Sequence, residues 1–155
     1  MKVQDVMRVA RFTTPESSLA AAGHVMAEVD CGVLPVVQAG GQVVGVITDR
    51  DICLALAARD SRPSTVDVRD VMSKAAYTCH PEHPIQEALR RMRDHSVRRL
   101  PVVDSAGSLK GILSLDDVVL EARMVHRDDF TGPFYADVVR TLKAIYEHPV
   151  PAVVS

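Results

Sequence analysis

Helical periodicity occurs in two separate stretches of the chain. After Ser17 or Ser18, either of which can cap a helix, apolar residues recur on one stripe up to about Asp30. This stripe consists of Leu19, Ala22, Val25, Met26 and Val29. A matching stripe follows Pro84, a residue suited to a first helical turn, and consists of Ile85, Ala88, Leu89 and Met92. We therefore predict one amphipathic helix in each half of the chain.

Each predicted helix is followed by two short β-branched runs. Residues 33–37 and 43–47 flank a glycine-containing turn, and residues 99–103 and 109–113 flank another. Both patterns predict hairpins in which glycine supplies a positive φ. The proline inside each first run predicts an edge position or a bulge. A second helix is predicted after each hairpin, from Asp49 to about Ala58 and from Leu115 to about Met124.

Comparison of the chain with itself indicates a duplication. Residues 3–7 recur as residues 68–72 at an offset of 65, and after a one-residue slip ten identities hold at an offset of 66. With a strand ahead of its first helix, each copy is predicted as a β-α-β-β-α unit with a three-stranded sheet. Because about 60 residues bury too little surface alone, we expect an α+β fold of two pseudo-symmetric units packed sheet to sheet.

The duplication also predicts the domain boundaries. We assign residues 1–62 and 63–124 to the two copies and residues 125–155 to a C-terminal extension. Within the extension, residues 126–129 predict a solvated break, and a helix is expected from Phe134 to about His148. Its apolar face would hold Phe134, Val138, Leu142, and Ile145 or Tyr146. Since this helix belongs to neither copy, its face should dock on the repeats or on a partner chain.

Composition narrows the class of protein. The chain is 47% hydrophobic, with a net charge of −2, which gives no electrostatic footprint for nucleic acid. No apolar run is long enough to span a bilayer, and the N-terminus has no signal-peptide core. Three cysteines without framework spacing favour a reducing compartment. We therefore expect a soluble, cytoplasmic protein with neither nucleic-acid nor membrane partners.

Catalytic and metal chemistry find little support in the sequence. No serine, cysteine or threonine lies in a nucleophile-elbow or P-loop pattern, so we do not expect an enzyme. Residues 79–83, Cys-His-Pro-Glu-His, invite a metal hypothesis, but they lack the paired ligand spacing that is typical of zinc sites. No metal site is predicted, and Cys79 is expected to be buried or at a sheet edge.

Three motifs occur in order in both copies and indicate a family. They are Asp-Val-Met near the start, Leu-Pro-Val-Val in the middle, and Gly-x-x-Thr/Ser-x-x-Asp at 45–51 and 111–117. In this combination the chain resembles a CBS-domain pair, or Bateman module, of the small stand-alone bacterial type. The resemblance covers residues 1–124 and leaves the final helix outside.

The resemblance implies nucleotide sites between the two copies. Thr48 with Asp51, and Ser114 with Asp117, would contact phosphate and ribose, because a helix N-terminus attracts anions and a carboxylate accepts from ribose hydroxyls. The glycine of each motif would let the backbone approach the ligand. The adenine would lie near Thr14 and Val33, or near His80 and Arg99. A first-turn acid can also simply stabilise a helix, but that alone does not require a hydroxyl three residues earlier.

Basic residues distinguish the two copies. Arg98, Arg99 and Arg50 are phosphate-binding candidates, since guanidinium groups match phosphate oxygens. Equally, Arg98 and Arg99 could solvate an edge strand, and Arg50 could pair with a neighbouring acid. The first copy has Gly32 where the second has Arg98, and Asp116 replaces Arg50 in the second. We therefore expect two unequal sites.

The leading hypothesis is a non-catalytic sensory module. It would bind AMP, ADP or ATP, or S-adenosylmethionine, between the copies and signal in trans to an unknown protein partner. The resemblance also implies a homodimer formed through helices. The alternative is a structural or protein-interaction scaffold with vestigial nucleotide sites, and a nucleic-acid-binding role is a distant third.

Overall fold

The computed structural model describes residues 1–123 and 130–147. The first copy contains α1 (Leu19–Glu28), β1 (Val33–Val37), β2 (Val43–Thr48) and α2 (Asp49–Arg59). The second contains α3 (Ile85–Asp94), β3 (Arg99–Val103), β4 (Leu109–Ser114) and α4 (Leu115–Glu121), and α5 (Tyr135–Tyr146) follows. The helices, the hairpins and the α+β class are confirmed. Met124 and His148, the predicted helix ends, and residues 126–129 lie outside the described residues.

Side-chain caps begin three of these helices. The Ser18 hydroxyl accepts a hydrogen bond from the backbone N–H of Ala21 at 3.2 Å and opens α1. Thr48 and Ser114 open α2 and α4 with reciprocal capping boxes. Helices α1 and α3 are followed by a non-glycine residue of positive φ, Asp30 at 50° and Ser96 at 53°. The chain therefore turns in the same way into both hairpins.

Each copy has a two-stranded antiparallel sheet, and the predicted three-stranded sheet is wrong. The expected first strand is reduced to one bridging residue, Thr13 beside Val36 and Cys79 beside Val102. Pro15 and Pro81 follow within two residues and carry no N–H, so the ladder cannot continue past them. Pro35 interrupts no β1–β2 bond because its carbonyl faces Thr13, whose N–H donates to it at 3.0 Å. The bulge expected in this strand occurs at Val36/Val37.

The two copies exchange their first segments. Val3 is fully buried in the core of the second copy, whereas Val68 is buried in the core of the first. The crossing chains add a bridge to the opposite hairpin, Ser73 to Val46 and Arg8 to Ile112. The predicted boundary at 62/63 stays a prediction, but packing across it is reciprocal.

Two motif glycines make this exchange possible. A Cβ at Gly45 would lie 2.3 Å from the carbonyl oxygen of Ser73, and a Cβ at Gly111 would lie 2.6 Å from that of Arg8. Neither distance allows a side chain without a backbone shift. The motif glycines therefore admit a crossing chain rather than a ligand, which corrects the role that the sequence suggested for them.

Helix α5 docks on the second copy. Val138 and Ile145 are buried in that copy's core, and Leu142 packs against it. Phe134 precedes the helix as its N-cap residue, and Tyr146 is 62% exposed, so Ile145 rather than Tyr146 completes the apolar face. In α1, Val29 is also more exposed than its stripe predicts, at 39%, because α1 ends one residue earlier.

Candidate functional site

A cleft of about 660 Å³ lies between the two copies. Pro35 and Val46 of the first sheet and their counterparts Pro101 and Ile112 of the second line it, so the two sheets face each other across the cleft. Its volume falls in the range of about 300–1,000 Å³ that is usual for small-molecule sites. The cleft therefore has room for a nucleotide.

Thr48 and Asp51 line the cleft at the N-terminus of α2. The Thr48 hydroxyl and backbone N–H both donate to Oδ2 of Asp51, at 2.7 and 3.0 Å, and the Asp51 N–H donates to the Thr48 hydroxyl. This capping box explains the Thr-x-x-Asp spacing by local structure alone, so the spacing is weaker evidence for a ligand than the sequence suggested. Within the described residues, Oδ1 of Asp51 accepts no hydrogen bond.

Three arginines converge on the same cleft. Arg50 lies on α2, whereas Arg98 and Arg99 come from the second copy, at the start of β3. No ion pair of Arg50 occurs among residues 1–123 and 130–147. Arg99 pairs with Asp116 at 3.6 Å, and Arg98 donates to the Tyr146 hydroxyl at 3.3 Å. Asp49 and Asp51 also line the cleft, so its charged side chains include three cations and two anions.

One aromatic residue that lines the cleft, Tyr77, was not predicted from the sequence. Tyr77 lines the cleft and stacks on His95, with ring centroids 3.7 Å apart and planes 9° from parallel. Tyr77 is 41% exposed, so its side chain is only partly covered by His95 and its other neighbours. The available signal was a tyrosine inside the one-residue slip of the repeat, where the two copies do not align.

The equivalent acid of the second copy is already engaged. Asp117 forms the same capping box with Ser114, and its other oxygen, Oδ1, accepts from Nε of Arg8 at 2.5 Å. Burial alone would raise the pKa of Asp117, but hydrogen bonds from Ser114 and Arg8 outweigh it and lower that pKa. Ser73 is the repeat counterpart of Arg8: it bridges to Val46 of the first hairpin and lines the cleft. Asp51 and Asp117 thus form the same kind of capping box, but among the described residues only Oδ1 of Asp117 accepts a further hydrogen bond.

The remaining predicted site residues lie partly inside and partly outside the cleft. Val33 lines the cleft, but Thr14 does not; its hydroxyl lies 3.0 Å from that of Ser17. His80 lines a separate cleft of about 710 Å³ beside His83 and Lys110. Ser114 and Asp117 line neither cleft. The structure thus brings together six of the ten predicted residues: Val33, Thr48, Arg50, Asp51, Arg98 and Arg99.

The described ranges contain neither a metal-binding cluster nor a membrane-spanning helix. No cluster of three or more His, Cys, Asp or Glu residues there could hold a metal ion. Among the same residues, no helix is long and apolar enough to cross a membrane. Cys79 is fully buried, and burial raises the pKa of its thiol to about 12.

Two duplicated units that exchange their first segments around a ligand-sized cleft define a tandem-repeat module. The CBS domain family model matches residues 3–58 and 68–123. The chain therefore belongs to the CBS domain family, and helix α5 lies beyond both matched ranges.

Relatives of known sequence share this region. CBS domain-containing protein YhcV of Bacillus subtilis is 34% identical over 119 residues, which cover 76% of this chain and 83% of that protein. The chain spans 54% of an uncharacterized protein of Methanopyrus kandleri, with 68% of this chain aligned at 30% identity. It spans 23% of homoserine O-acetyltransferase of Methanococcoides burtonii, with 75% of this chain aligned at 38% identity.

Two solved structures are similar in fold and sequence. Hypoxic Response Protein I, with two coordinated zinc ions, has a TM-score of 0.71 and 30% identity, covering 77% of this chain and 98% of that one. CBSX2 in complex with AMP has a TM-score of 0.67 and 27% identity, covering 77% and 94%.

Proposed function

We propose that this protein is a non-catalytic regulatory module that binds an adenine nucleotide in the cleft between its copies. Asp51, Arg50, Arg98 and Arg99 converge on one cleft, and Oδ1 of Asp51 accepts no hydrogen bond from the part of the chain that the structure describes; this convergence carries the proposal. The carboxylate offers an acceptor for ribose hydroxyls, and the guanidinium groups offer donors for phosphate. The AMP complex of CBSX2, a protein 27% identical to this chain, supports an adenosine-type ligand.

The proposal assigns each part of the ligand to named residues. The partly exposed ring of Tyr77, which lines the cleft, suits the adenine, since offset stacking of aromatic rings is favourable. Asp51 would take the ribose, and the phosphates would extend toward Arg50, Arg98 and Arg99. Val33 would contact the base from the apolar side. The arginines favour AMP, ADP or ATP over S-adenosylmethionine, which carries no phosphate.

We further propose that one nucleotide binds per chain. At the second copy, Arg8 occupies the oxygen of Asp117 that is free on Asp51. A ribose there would have to displace a charge-assisted hydrogen bond that is already made. The second copy also places Asp116 where the first has Arg50, and this carboxylate would repel a phosphate. Arg8, in addition to Asp116, therefore supports the proposal that the two sites are unequal.

Calorimetric titration with AMP, ADP, ATP and S-adenosylmethionine tests the proposal, using Asp51→Asn and the matched control Asp117→Asn. Each variant weakens an equivalent capping box, but only Asp51 lines the cleft. We expect Asp51→Asn to lose about 10–100-fold in affinity, because a hydrogen bond to a charged group contributes about 1.5–3 kcal/mol. Asp117→Asn should bind as the wild type does. Equal losses in both variants would contradict the assignment of the cleft.

We also propose that the module acts as a homodimer through α2 and α4. No residue of α2 is buried within the chain, and Leu54 is 56% exposed. Its repeat counterpart Leu120 on α4 is 74% exposed. A face bearing two pseudo-equivalent leucines can match the same face of a second copy under two-fold symmetry.

Light scattering tests the dimer. Wild-type protein should have twice the 16.9 kDa chain mass, and Leu54→Asp should have the chain mass. Val9→Asp, at a residue that is 93% exposed and not on these helices, is the control and should remain dimeric. A wild-type monomer, or dissociation by Val9→Asp alone, would overturn this interface.

A protein partner that responds to the nucleotide would complete the regulatory role. If no adenine compound binds below about millimolar concentration, the sensory proposal fails and the scaffold with vestigial sites becomes the better account. The Arg8–Asp117 contact favours a vestigial nucleotide site, but only at the second copy.

A further inference from the structure

Helix α5 lies outside the family-matched ranges yet reaches the wall of the cleft. Nη1 of Arg98 donates a hydrogen bond to the hydroxyl of Tyr146, at 3.3 Å. Arg98 lines the cleft, and Tyr146 is the last residue of α5. This contact links the C-terminal helix to a residue for which the proposed function gives a role in phosphate binding.

The backbone at the Tyr146 end of this contact is anchored in the core, although the Tyr146 side chain is exposed. Ile145, the preceding residue, is buried in the second core, so the backbone at the end of α5 is fixed. One turn earlier, the fully buried Thr141 donates to the carbonyl of Asp137 at 2.8 Å and accepts from Nη1 of Arg93 at 3.3 Å. Arg93 lies on α3 and leads directly into the cleft-lining segment 96–99. Helix α5 therefore supports the wall from behind.

Apart from its contact with Tyr146, Arg98 is fixed within the described residues through its backbone. Its carbonyl accepts from the N–H of Leu115 at 2.8 Å, but its side chain is exposed. A long exposed side chain loses conformational entropy when it orders around a ligand. The Tyr146 hydroxyl already restricts the guanidinium, and it uses one of its five N–H donors, so the others remain available.

We propose that Tyr146 is a positioning residue that holds Arg98 at the cleft for the phosphate groups of the nucleotide. The inference rests on the proposed function and adds a role for α5 in recognising the phosphorylated end of the ligand. Tyr146 itself does not touch the nucleotide. Its effect should therefore be confined to ligands that carry phosphate, and the adenosine portion should bind independently of it. The first copy has Gly32 at the position of Arg98, so it has no equivalent contact.

The test compares adenosine and ADP by calorimetry in Tyr146→Phe and in the control Tyr135→Phe. Both substitutions remove one hydroxyl from α5, and Tyr135 lies at the opposite end of the helix. We expect Tyr146→Phe to weaken ADP about threefold, the size of a modest exposed hydrogen bond, and to leave adenosine unchanged. Tyr135→Phe should change neither. In an Arg98→Ala background, Tyr146→Phe should have no further effect on ADP.

The outcomes separate this inference from the proposed function. If wild-type protein binds ADP and Tyr146→Phe binds it equally well, the positioning role is wrong and the proposed function stands. A parallel loss for adenosine and ADP would also overturn the role, because it would indicate a general disturbance of the cleft. If wild-type protein binds neither compound, the proposed function fails and this inference fails with it.

Discussion

Replacing Gly45 with alanine tests the segment exchange that builds the cleft. The new Cβ would lie 2.3 Å from the Ser73 carbonyl oxygen and 3.3 Å from the Met72 sulfur. Because the first of these is a backbone atom, the crossing chain must move. The movement weakens both hydrogen bonds between Val46 and Ser73, which measure 3.2 and 2.9 Å.

The expected cost follows from these contacts. Overpacking costs about 1–3 kcal/mol, and each weakened backbone hydrogen bond contributes about 0.5–1.5 kcal/mol. Alanine recovers about 0.5–1 kcal/mol because glycine loses more conformational entropy on folding. We expect Gly45→Ala to lower the free energy of unfolding by roughly 3 kcal/mol, equivalent to a fall in Tm of roughly 6–12 °C.

Urea unfolding followed by circular dichroism measures this change. The control is Gly23→Ala, since a Cβ at Gly23 meets nothing within 4 Å and the residue lies inside α1. That variant should be stabilised by about 0.5–1 kcal/mol. The reasoning is refuted if Gly45→Ala unfolds within about 0.5 kcal/mol of the wild type, a difference typical of neutral surface changes.

Further predictions concern charge and thiol chemistry. The lowered pKa of Asp117 contributes stability above its unfolded pKa of about 3.9, and this stability is lost as the pH falls through the folded pKa. Arg8→Ala should therefore raise the midpoint pH of acid unfolding and lower the free energy of unfolding at pH 7, by a small amount because the Arg8 side chain is 66% exposed. Arg11→Ala, which breaks the exposed pair with Glu28, should leave both nearly unchanged; an equal effect of the two variants would contradict the buried role of Asp117. In alkylation at pH 8, Cys79, buried with a pKa of about 12, should react only after unfolding; rapid native labelling of Cys79 would show that its core opens.

Local features of the fold were predictable because they depend on neighbouring residues. The serine before α1, the glycines of the hairpin turns and the apolar stripes each act within a few positions, and they occur where the sequence predicts. The expected first strand of each copy is reduced to one bridging residue for a local reason as well. Pro15 and Pro81 end it after one residue because they have no N–H groups to donate to the next strand.

The site depends on contacts between residues distant in sequence, and it was only partly predictable. Arg8 and Asp117 are 109 positions apart, and Arg98 and Tyr146 are 48 apart. No spacing rule links such pairs. The same limit hid the segment exchange and led to a ligand-binding role for Gly45, whose neighbour is Ser73. The Thr-x-x-Asp motif was found correctly, but a capping box also explains its spacing.

The number of nucleotides bound by each chain distinguishes one functional site from two. Calorimetric titration of the wild-type protein with AMP or ADP should give one site per chain, because Oδ1 of Asp51 accepts no hydrogen bond from the described residues, whereas Oδ1 of Asp117 is held by Arg8. The same titration of Asp51→Asn should show affinity reduced about 10–100-fold. Two equivalent sites per chain, or wild-type affinity retained in Asp51→Asn, would contradict the account.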